Sequence, residues 1–316
     1  MPTPHQNHEP RELPQLSAER PFISDGGLET TLIFDRGVDL PCFAAFPLVT
    51  DEPGRALLRD YFAPFLAIAK TYGTGFVLDT ATWRANPDWG ARLGFDSVTL
   101  AEVNRASVEF AVEVGDESGV PIVINGVLGP RGDGYSAGEV MSAADAQRYH
   151  AFQTEAFADA GVDMVTGVTM NYADEAVGMV RAARDVGLPI AVSFTVETDG
   201  RLPSGQPLDA AIEQVDADTE GAAAYFMLNC AHPTHFSAVL GEGGAWRDRI
   251  VGIRANASRK SHAELDASDE LDAGDPDELA EQYRTLSSAM PQMTVVGGCC
   301  GTDHRHVDAI CAAIMG

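Results

Sequence analysis

The chain has 316 residues, of which 45% are hydrophobic and 22% are charged, so it can bury a large core and is neither disordered nor fibrous. Its 47 acidic and 21 basic side chains leave a formal net charge of −26, so nucleic acid and anionic membrane surfaces are not expected partners. This charge predicts either a solvated acidic coat or a field that attracts a cationic substrate.

The N-terminal segment differs in composition from the rest of the chain. Residues 1–17 are polar and rich in proline and histidine, which is atypical of a secretory signal. We therefore predict a flexible leader over residues 1–20, a single barrel domain over residues 21–316, and a cytoplasmic protein. The odd number of cysteines, five, argues against a disulfide scaffold and agrees with this location.

One pattern then recurs eight times: a short apolar run, a break rich in Gly, Asn or Thr, and an amphipathic stretch. Runs that are apolar throughout are typical of strands buried on both faces. The predicted strands are residues 21–24, 75–79, 122–125, 163–168, 190–194, 225–229, 250–253 and 294–296. The predicted helices are residues 56–72, 100–118, 143–160, 173–186, 208–219, 277–290 and 303–315, with a short, weakly helical connection at 232–240.

Eight such units predict an α/β fold, namely a single-domain (β/α)8 TIM barrel. A doubly wound open sheet is the alternative, but no Gly-x-Gly-x-x-Gly motif follows the first strand. Residues 261–278 lie outside the repeat and consist mostly of acidic and small residues. We interpret them as an exposed acidic loop, which is either solvated chain or a lid over the barrel mouth.

Active groups of such a barrel lie at the C-terminal ends of its strands, and three cysteines follow two of these ends. Cys230 follows the sixth strand, and Cys299 and Cys300 follow the eighth between glycines that permit an unusual backbone path. Three converging thiolates suit Zn²⁺, and three protein ligands are typical of a catalytic rather than a structural zinc site. Cys42 in the first loop and Cys311 in the last helix are interpreted as packing residues.

The chemistry of such a zinc site follows from its charge. Three thiolates make the ion a poor activator of water but leave it suited to binding a further thiol as a nucleophilic thiolate. The simplest reaction of that thiolate is attack on a methyl group carried by a sulfonium or an ammonium. This step needs no base.

These residues resemble those of the homocysteine S-methyltransferase family over about residues 22–314. The most specific motifs are Asp25-Gly26-Gly27, Asn229-Cys230 and the run from Gly297 to Thr302. The resemblance implies that Cys230, Cys299 and Cys300 bind zinc and that Asp25 accepts a hydrogen bond from the amino group of homocysteine. It also implies that Gly26 and Gly27 allow close approach of the substrate, and that Asn229 and Asn256 shape the pocket.

One position departs from the family pattern. After the fourth strand the family carries Glu-Thr, whose carboxylate also holds the substrate ammonium, whereas this chain has Val168-Thr169. Three explanations stay open at this point. Asp25 alone holds the amino group, or Glu197 at the end of the fifth strand replaces the missing acid, or the acceptor is a thiol other than homocysteine.

The resemblance implies methyl transfer from a small onium donor to homocysteine, which gives methionine. S-methylmethionine, S-adenosylmethionine and a betaine-like molecule are the candidate donors, and Trp83, Tyr135 and Tyr172 are candidate aromatic walls for the onium. The alternatives are the same zinc chemistry on another small thiol, and a non-catalytic zinc- or thiol-binding barrel. The expected partners are these small molecules, with a homo-oligomer as an open alternative to a monomer.

Overall fold

The computed structural model describes residues 12–316, and within them eight parallel strands close into a barrel in chain order. The first strand pairs with both the second and the eighth, which closes the sheet. This confirms the predicted (β/α)8 barrel and excludes the open sheet. The strands are β1 Phe22–Ile23, β2 Phe76–Asp79, β3 Ile122–Leu128, β4 Met164–Met170, β5 Ile190–Phe194, β6 Tyr225–Asn229, β7 Ile250–Ala255 and β8 Val295–Gly298.

Helices surround the barrel on the outside. They are α1 Leu28–Thr30, α2 Glu52–Tyr72, α3 Pro87–Arg92, α4 Ser97–Ser118, α5 Ala143–Ala160, α6 Ala173–Asp185, α7 Leu208–Thr219, α8 Pro233–Glu242, α9 His262–Asp266, α10 Pro276–Ala289 and α11 His304–Met315. Short 3₁₀ turns cover Pro14–Leu16, Pro41–Phe43, Phe46–Thr50 and Ala245–Arg249, and Thr31–Asp35 is a turn of π-helix. Within the described residues, no helix combines the length and the apolar character that crossing a bilayer requires.

The strands are apolar at consecutive positions because both of their faces are buried. In β2, Phe76 and Leu78 point outward into the main core under the helices, whereas Val77 belongs to a second cluster inside the barrel. Asp79 shares the inward face with Val77 and belongs to a polar layer above that cluster. The barrel interior is therefore apolar at its base and polar toward its C-terminal end.

This polar layer explains why several strands are longer than the sequence predicted. Asn125, the expected end of the third strand, points inward and donates a hydrogen bond of 2.7 Å to Asp79, and the strand continues to Leu128. The fourth strand continues beyond its predicted end at Val168 to Met170, with a register shift after Gly167. A polar residue inside a barrel is thus compatible with a continuing strand when a neighbouring strand supplies its partner.

The helix boundaries follow from capping. The second helix begins at Glu52, earlier than predicted, because the Asp51 side chain accepts a hydrogen bond of 2.8 Å from the amide of Gly54. The same helix ends at Tyr72 because the next residue, Gly73, adopts a φ of 62° and caps it. Asp96 and Gly119 play the same two roles at the ends of the fourth helix.

The base of the barrel is closed by the chain that precedes β1. Leu13 belongs to the apolar cluster inside the barrel. Gln15 is fully buried, and its Nε2 lies 3.1 Å from the sulfur of Met164. For residues 12–20 the structure thus differs from the expected flexible leader, because Leu13 covers apolar surface at the open end of the barrel. Residues 1–11 of that predicted leader lie outside the described residues.

Candidate active site

A cavity of about 380 Å³ opens at the C-terminal end of the barrel, where active groups of this fold are found. Its walls come from the loops after five strands and from the segment between β7 and α10. The three predicted zinc ligands line it, together with Asp25, Gly26, Gly27, Thr169 and Asn229. The structure therefore brings together most of the residues that the sequence singled out.

The three cysteine sulfurs form the one possible metal-binding group found among residues 12–316. The Sγ atoms of Cys230, Cys299 and Cys300 lie within 4.8 Å of one another, and those of Cys230 and Cys300 are 3.5 Å apart. Zinc–sulfur bonds of about 2.3 Å at tetrahedral angles place two sulfurs roughly 3.8 Å apart. Three soft sulfur donors at this spacing fit a single zinc ion. The other two cysteines lie elsewhere, with Cys42 exposed and Cys311 buried in α11.

The unusual backbone conformations lie at Cys230 and at Gly301, the residue after the cysteine pair, rather than at the pair itself. Cys230 has a φ of 55°, in the left-handed region that residues with a side chain rarely adopt. Gly301 has a φ of 78°, and a Cβ there would also lie 2.7 Å from the carbonyl oxygen of Asp272. Strain of this kind persists where surrounding contacts enforce it, and it occurs preferentially at functional sites.

Gly26 and Gly27 let the loop after β1 pack directly on the cysteine loop. A Cβ at Gly26 would lie 2.5 Å from the carbonyl oxygen of Thr302, and one at Gly27 would lie 2.7 Å from that of Cys299. The amide of Gly27 donates a hydrogen bond of 2.9 Å to Thr302. The resemblance implied that these glycines admit the substrate, whereas what the structure shows is that they admit the backbone that carries Cys299 and Cys300.

Tyr135 reaches the sulfurs from the loop after β3. Its hydroxyl lies 3.0 Å from the sulfur of Cys230 and 3.7 Å from that of Cys300. Burial and the neighbouring thiols raise the pKa of Tyr135 well above its usual value, so the phenol stays protonated and can donate to sulfur. The pKa of Cys299 lies well below its usual value, because Cys230 and Cys300 donate hydrogen bonds to it and Arg254 is nearby.

His262 supports both Tyr135 and Cys230, and the sequence analysis did not identify it. Its ring stacks on that of Tyr135 with centroids 4.0 Å apart, and its Nε2 lies 2.8 Å from the carbonyl oxygen of Cys230. Its Nδ1 lies 3.1 Å from Glu197. A signal for this placement was present, because Ser261 and Glu264 form a capping box that begins α9 with His262.

Two predicted substrate contacts do not line the cavity in the described part of the chain. Glu197 is engaged by His262 instead of facing the cavity, so it does not replace the missing acid. Asn256 is buried, and its backbone N–H donates a hydrogen bond of 3.1 Å to the carbonyl oxygen of Ala231. The two histidines after Cys230 also point away from the sulfurs: His232 caps α8, and His235 contacts the carbonyl oxygen of Arg259 at 2.9 Å.

Thr169 and Asn229 form a closed pair beside the sulfurs. The Asn229 amide nitrogen donates to the Thr169 hydroxyl at 2.8 Å, and the Thr169 backbone amide donates to the Asn229 side-chain oxygen at 2.9 Å. Thr169 adopts a φ of 62° in this arrangement. Val168 also lines the cavity. At the position where the family carries a glutamate, the cavity of this chain therefore presents an apolar side chain.

Asp25 is held by two protein donors. Arg254 binds one of its carboxylate oxygens through Nη2, and the Tyr61 hydroxyl donates to the other at 3.0 Å. Through Nη1 the same arginine binds Asp79. Burial raises the pKa of Asp25 to about 7, and the nearby Arg254 opposes that rise. Sequence analysis missed this role of Arg254.

The predicted acidic loop covers the cavity. Leu265, Asp266 and Leu271 are among its side chains that line the cavity. The segment is tied down by a hydrogen bond of 2.8 Å from Ser258 to Asp272, and by His306, whose Nε2 lies 2.8 Å from the carbonyl oxygen of Ala273. Of the two interpretations given by the sequence, the lid agrees with this placement.

The candidate aromatic walls differ in what they contact. Trp83 lines the cavity, but the guanidinium of Arg84 already lies 4.9 Å from its ring centroid. Tyr172 does not line the cavity, and its hydroxyl accepts a hydrogen bond of 3.1 Å from the amide of Met141.

An acidic residue that the sequence analysis did not name, Glu29, also lines the cavity, and burial raises the pKa of its carboxyl to about 7.

The three cysteines and the Asp25-Gly26-Gly27 loop thus lie at one cavity. A family model described as homocysteine S-methyltransferase matches residues 22–314. This chain belongs to the homocysteine S-methyltransferase family. The predicted family resemblance is thereby confirmed, and with it the assignment to a class of methyltransferases that act on small molecules.

Individual relatives match at lower similarity. A methionine synthase from Mycobacterium leprae (strain TN) is 31% identical over 140 residues, which are 43% of this chain and 11% of that protein. The chain thus spans about a tenth of that relative's length. The metallated form of the Escherichia coli homocysteine methyltransferase MmuM is 20% identical with a TM-score of 0.73, and the match covers 94% of this chain and 97% of that one. The oxidized form of the same enzyme is 21% identical with a TM-score of 0.74, and the match again covers 94% of this chain and 97% of that one. These solved structures establish the shared fold.

Proposed function

We propose that this protein is a zinc-dependent S-methyltransferase that transfers a methyl group from a small onium donor to a thiol. Homocysteine is the first candidate acceptor, with methionine as the product. The observation that carries the proposal is the convergence of the Cys230, Cys299 and Cys300 sulfurs within 4.8 Å at the mouth of the barrel. Membership of the homocysteine S-methyltransferase family supports the type of reaction.

Cys230, Cys299 and Cys300 would hold the zinc ion. A zinc ion with three thiolate ligands lowers the pKa of a thiol bound at its fourth position and keeps that thiol as a nucleophilic thiolate. The fit of the three sulfurs to tetrahedral spacing supports zinc over metals that prefer oxygen ligands. Tyr135 would stabilise the negative charge on the sulfurs, because its hydroxyl lies 3.0 Å from the Cys230 sulfur and can donate a hydrogen bond to it.

The transfer step itself requires orientation more than proton transfer. The thiol releases its proton to water before the reaction, and its sulfur lone pair then forms the new bond to the methyl carbon. The bond between that carbon and the onium atom of the donor breaks at the same time, and its electrons leave with a neutral thioether or amine. The lid residues Leu265 and Leu271 line the cavity and would exclude water from these charges.

The cavity lining supports a cationic donor. The lining contains more acidic than basic side chains: two arginines, Arg84 and Arg254, against the acids Asp25, Glu29, Asp79, Asp133, Asp266, Glu270 and Asp272. Lining carboxylates of this number raise the local concentration of cations. Phe34 adds aromatic surface, which attracts onium groups through the ring face, whereas the Phe43 ring, like that of Trp83, already lies near the guanidinium of Arg84. We assign the donor subsite to the part of the cavity that is lined by Glu29, Phe34 and the acidic segment 261–278.

The proposal is tested by metal analysis followed by product analysis. Protein purified under reducing conditions should contain one zinc per chain, and mass spectrometry should detect methionine when homocysteine is mixed with one of the candidate onium donors. Cys299→Ser should lose both the zinc and the product while keeping the helical signal in circular dichroism. Cys42→Ser changes an exposed cysteine whose sulfur does not belong to the three-sulfur group and should retain both. A Cys299→Ser protein with full zinc and full rate would contradict the proposal.

A further inference from the structure

Arg84, in the loop after β2, lines the cavity with few of its hydrogen-bond donors in use. Its side chain is 13% exposed. Within residues 12–316 the only hydrogen bond that its guanidinium makes runs from Nη1 to the carbonyl oxygen of Cys42. The buried Nε has no acceptor in that part of the chain. A buried donor without an acceptor costs free energy, so its presence at a cavity calls for an explanation.

Asp133 neutralises the positive charge of Arg84 only in part. Its Oδ2 lies 3.9 Å from Nη2, which is too far for a hydrogen bond, and its side chain is 51% exposed. Exposed ion pairs of this kind contribute little. The other arginine of the lining differs, because Asp25 and Asp79 both bind Arg254 directly. Of the two, Arg84 is the arginine that keeps donors for a ligand.

Aromatic rings hold the guanidinium of Arg84 and leave its edges free. Its central carbon lies 3.9 Å from the ring centroid of Trp89 and 4.9 Å from that of Trp83. All five N–H donors of an arginine lie in the plane of the guanidinium, so contacts with ring faces do not use them. Nε and Nη2 form one edge of that plane, and neither donates a hydrogen bond to a described residue. Such an edge can bind both oxygens of a carboxylate.

The carboxyl of Glu29 lies near both Arg84 and the cysteine sulfurs. Burial raises the pKa of Glu29 to about 7, the Cys299 thiol contributes to that rise, and Arg84 opposes it. Charges shift a pKa in this way only at short range. Phe34 lines the same cavity and adds an aromatic ring. An onium held at Glu29 is therefore close both to a sulfur bound at the three cysteines and to Arg84.

Glu29 and Arg84 match the two ends of a zwitterion. Glu29 attracts the positive onium, and the free edge of Arg84 suits a negative carboxylate. The lining as a whole has more acids than arginines, so it repels a carboxylate that has no cationic contact of its own. Arg84 can supply that contact.

We propose that Arg84 binds a carboxylate of the methyl donor and thereby selects zwitterionic donors, which carry an onium and a carboxylate, over simple onium cations. The inference rests on the proposed function, because it concerns the donor side of the same cavity. It makes Arg84 a specificity-determining residue for the donor, in addition to the acids that attract the onium.

Donors that differ only in one charge test the proposal. S-methylmethionine is compared with its carboxamide, and glycine betaine with its carboxamide, because the amide keeps the size of the carboxylate and removes its charge. Each is supplied to the zinc-loaded wild-type protein with homocysteine, and the rate of methionine formation gives kcat/KM. In each pair that reacts, the carboxylate should exceed the amide by about one to two orders of magnitude in kcat/KM, the value of a charge-assisted hydrogen bond.

Two variants extend the test. In Arg84→Gln the preference for the carboxylate should disappear, because glutamine has no charge. Damage to the fold or to the zinc site would lower kcat/KM for both members of a pair and leave their ratio unchanged. Should Arg84→Gln fail to fold, Arg84→Lys keeps the charge without the paired edge and should show a smaller preference than the wild type.

Arg92→Gln is the matched control. The guanidinium of Arg92 also lies on the Trp89 ring, at 4.2 Å from its centroid, but Arg92 is not among the described residues that line the cavity. This variant should keep both the rate and the preference of the wild type.

The outcomes separate this inference from the proposed function. Equal kcat/KM for carboxylate and amide in the wild type, or an unchanged preference in Arg84→Gln, would overturn the assignment of Arg84 and leave methyl transfer intact. Absence of methyl transfer from every one of these donors would overturn the proposed function, and the inference with it. A wild-type preference that Arg84→Gln loses and Arg92→Gln keeps would support the assignment.

Discussion

The hydroxyl of Tyr135 lies 3.0 Å from the sulfur of Cys230, and the Tyr135 ring is stacked on His262 at 4.0 Å. His262 in turn contacts the carbonyl oxygen of Cys230 at 2.8 Å. Cys230 is thus held from its side chain and from its backbone by two residues that also contact each other. Such supporting contacts orient metal ligands and set their basicity.

Removal of the Tyr135 hydroxyl should therefore weaken the site without unfolding the protein. In Tyr135→Phe we expect zinc affinity or methyl-transfer rate to fall by about 10- to 100-fold, the usual effect of losing a contact to a ligand. Competition with a chromophoric chelator measures the affinity. Tyr172→Phe is the control, because its hydroxyl contacts the amide of Met141 and not a sulfur. Equal zinc affinity and equal rate in both variants would show that the contact to Cys230 has no role.

Gly27 should tolerate no side chain. A Cβ there would lie 2.3 Å from the Thr30 hydroxyl and 2.7 Å from the carbonyl oxygen of Cys299, which cannot move without moving the cysteine loop. We expect Gly27→Ala to lower the free energy of unfolding by about 1–3 kcal/mol, the usual cost of overpacking, and to weaken zinc binding. Urea unfolding and metal analysis measure the two effects.

Gly241→Ala provides the comparison for that substitution. Gly241 lies in α8 with open space around the position of a Cβ. Alanine there should leave zinc binding unchanged and the stability unchanged or slightly higher, because alanine favours the helix. If Gly27→Ala behaves like Gly241→Ala, the close contact between the two loops is not required for the site.

Glu29 should make stability depend on pH. Burial raises the pKa of its carboxyl to about 7, so folding favours the protonated form. The stability that this form contributes is complete below the unfolded pKa of about 4.3 and is lost as the pH rises through 7. Glu29→Gln removes the titration. The free energy of unfolding of the variant should therefore rise relative to that of the wild type between pH 5 and pH 8, by up to about 2 kcal/mol after allowance for partial exposure.

Urea unfolding of the zinc-loaded proteins at four pH values checks this prediction. Asp25 titrates in the same range in both proteins, so its contribution largely cancels in the difference. The same variant should bind a cationic methyl donor more weakly, because one of the lining carboxylates has become neutral. A difference in stability that stays constant from pH 5 to pH 8 would mean that Glu29 has an ordinary pKa.

The fold could be predicted from the sequence because eight apolar runs, each followed by a break, are typical of strands buried on both faces. The strand ends could not, because inward polar residues such as Asn125 resemble strand terminators until their partners on neighbouring strands are known. Similarly, residues 12–20 read as a polar leader. Leu13 and Leu16 look alike in this segment, and nothing in the sequence shows that Leu13 is the one that closes the base of the barrel.

The site was predictable where its residues follow strand ends directly, as Cys230, Cys299 and Cys300 do. It was not predictable where it depends on contacts between distant elements. Arg254 on β7 meets Asp25 after β1 and Asp79 at the end of β2, and this meeting requires the closed barrel. His262 likewise reaches Cys230 only because the lid folds back over the cavity. Position along a strand can be read from a sequence, whereas pairing across the barrel cannot.

Zinc K-edge X-ray absorption of the purified, reduced protein tests the central claim most directly. Three cysteine ligands predict three sulfur neighbours at about 2.3 Å from the zinc, and addition of an acceptor thiol should raise the number to four. Fewer than three sulfur neighbours, or a sulfur count that no thiol changes, would contradict a three-cysteine zinc site that binds the acceptor through its sulfur.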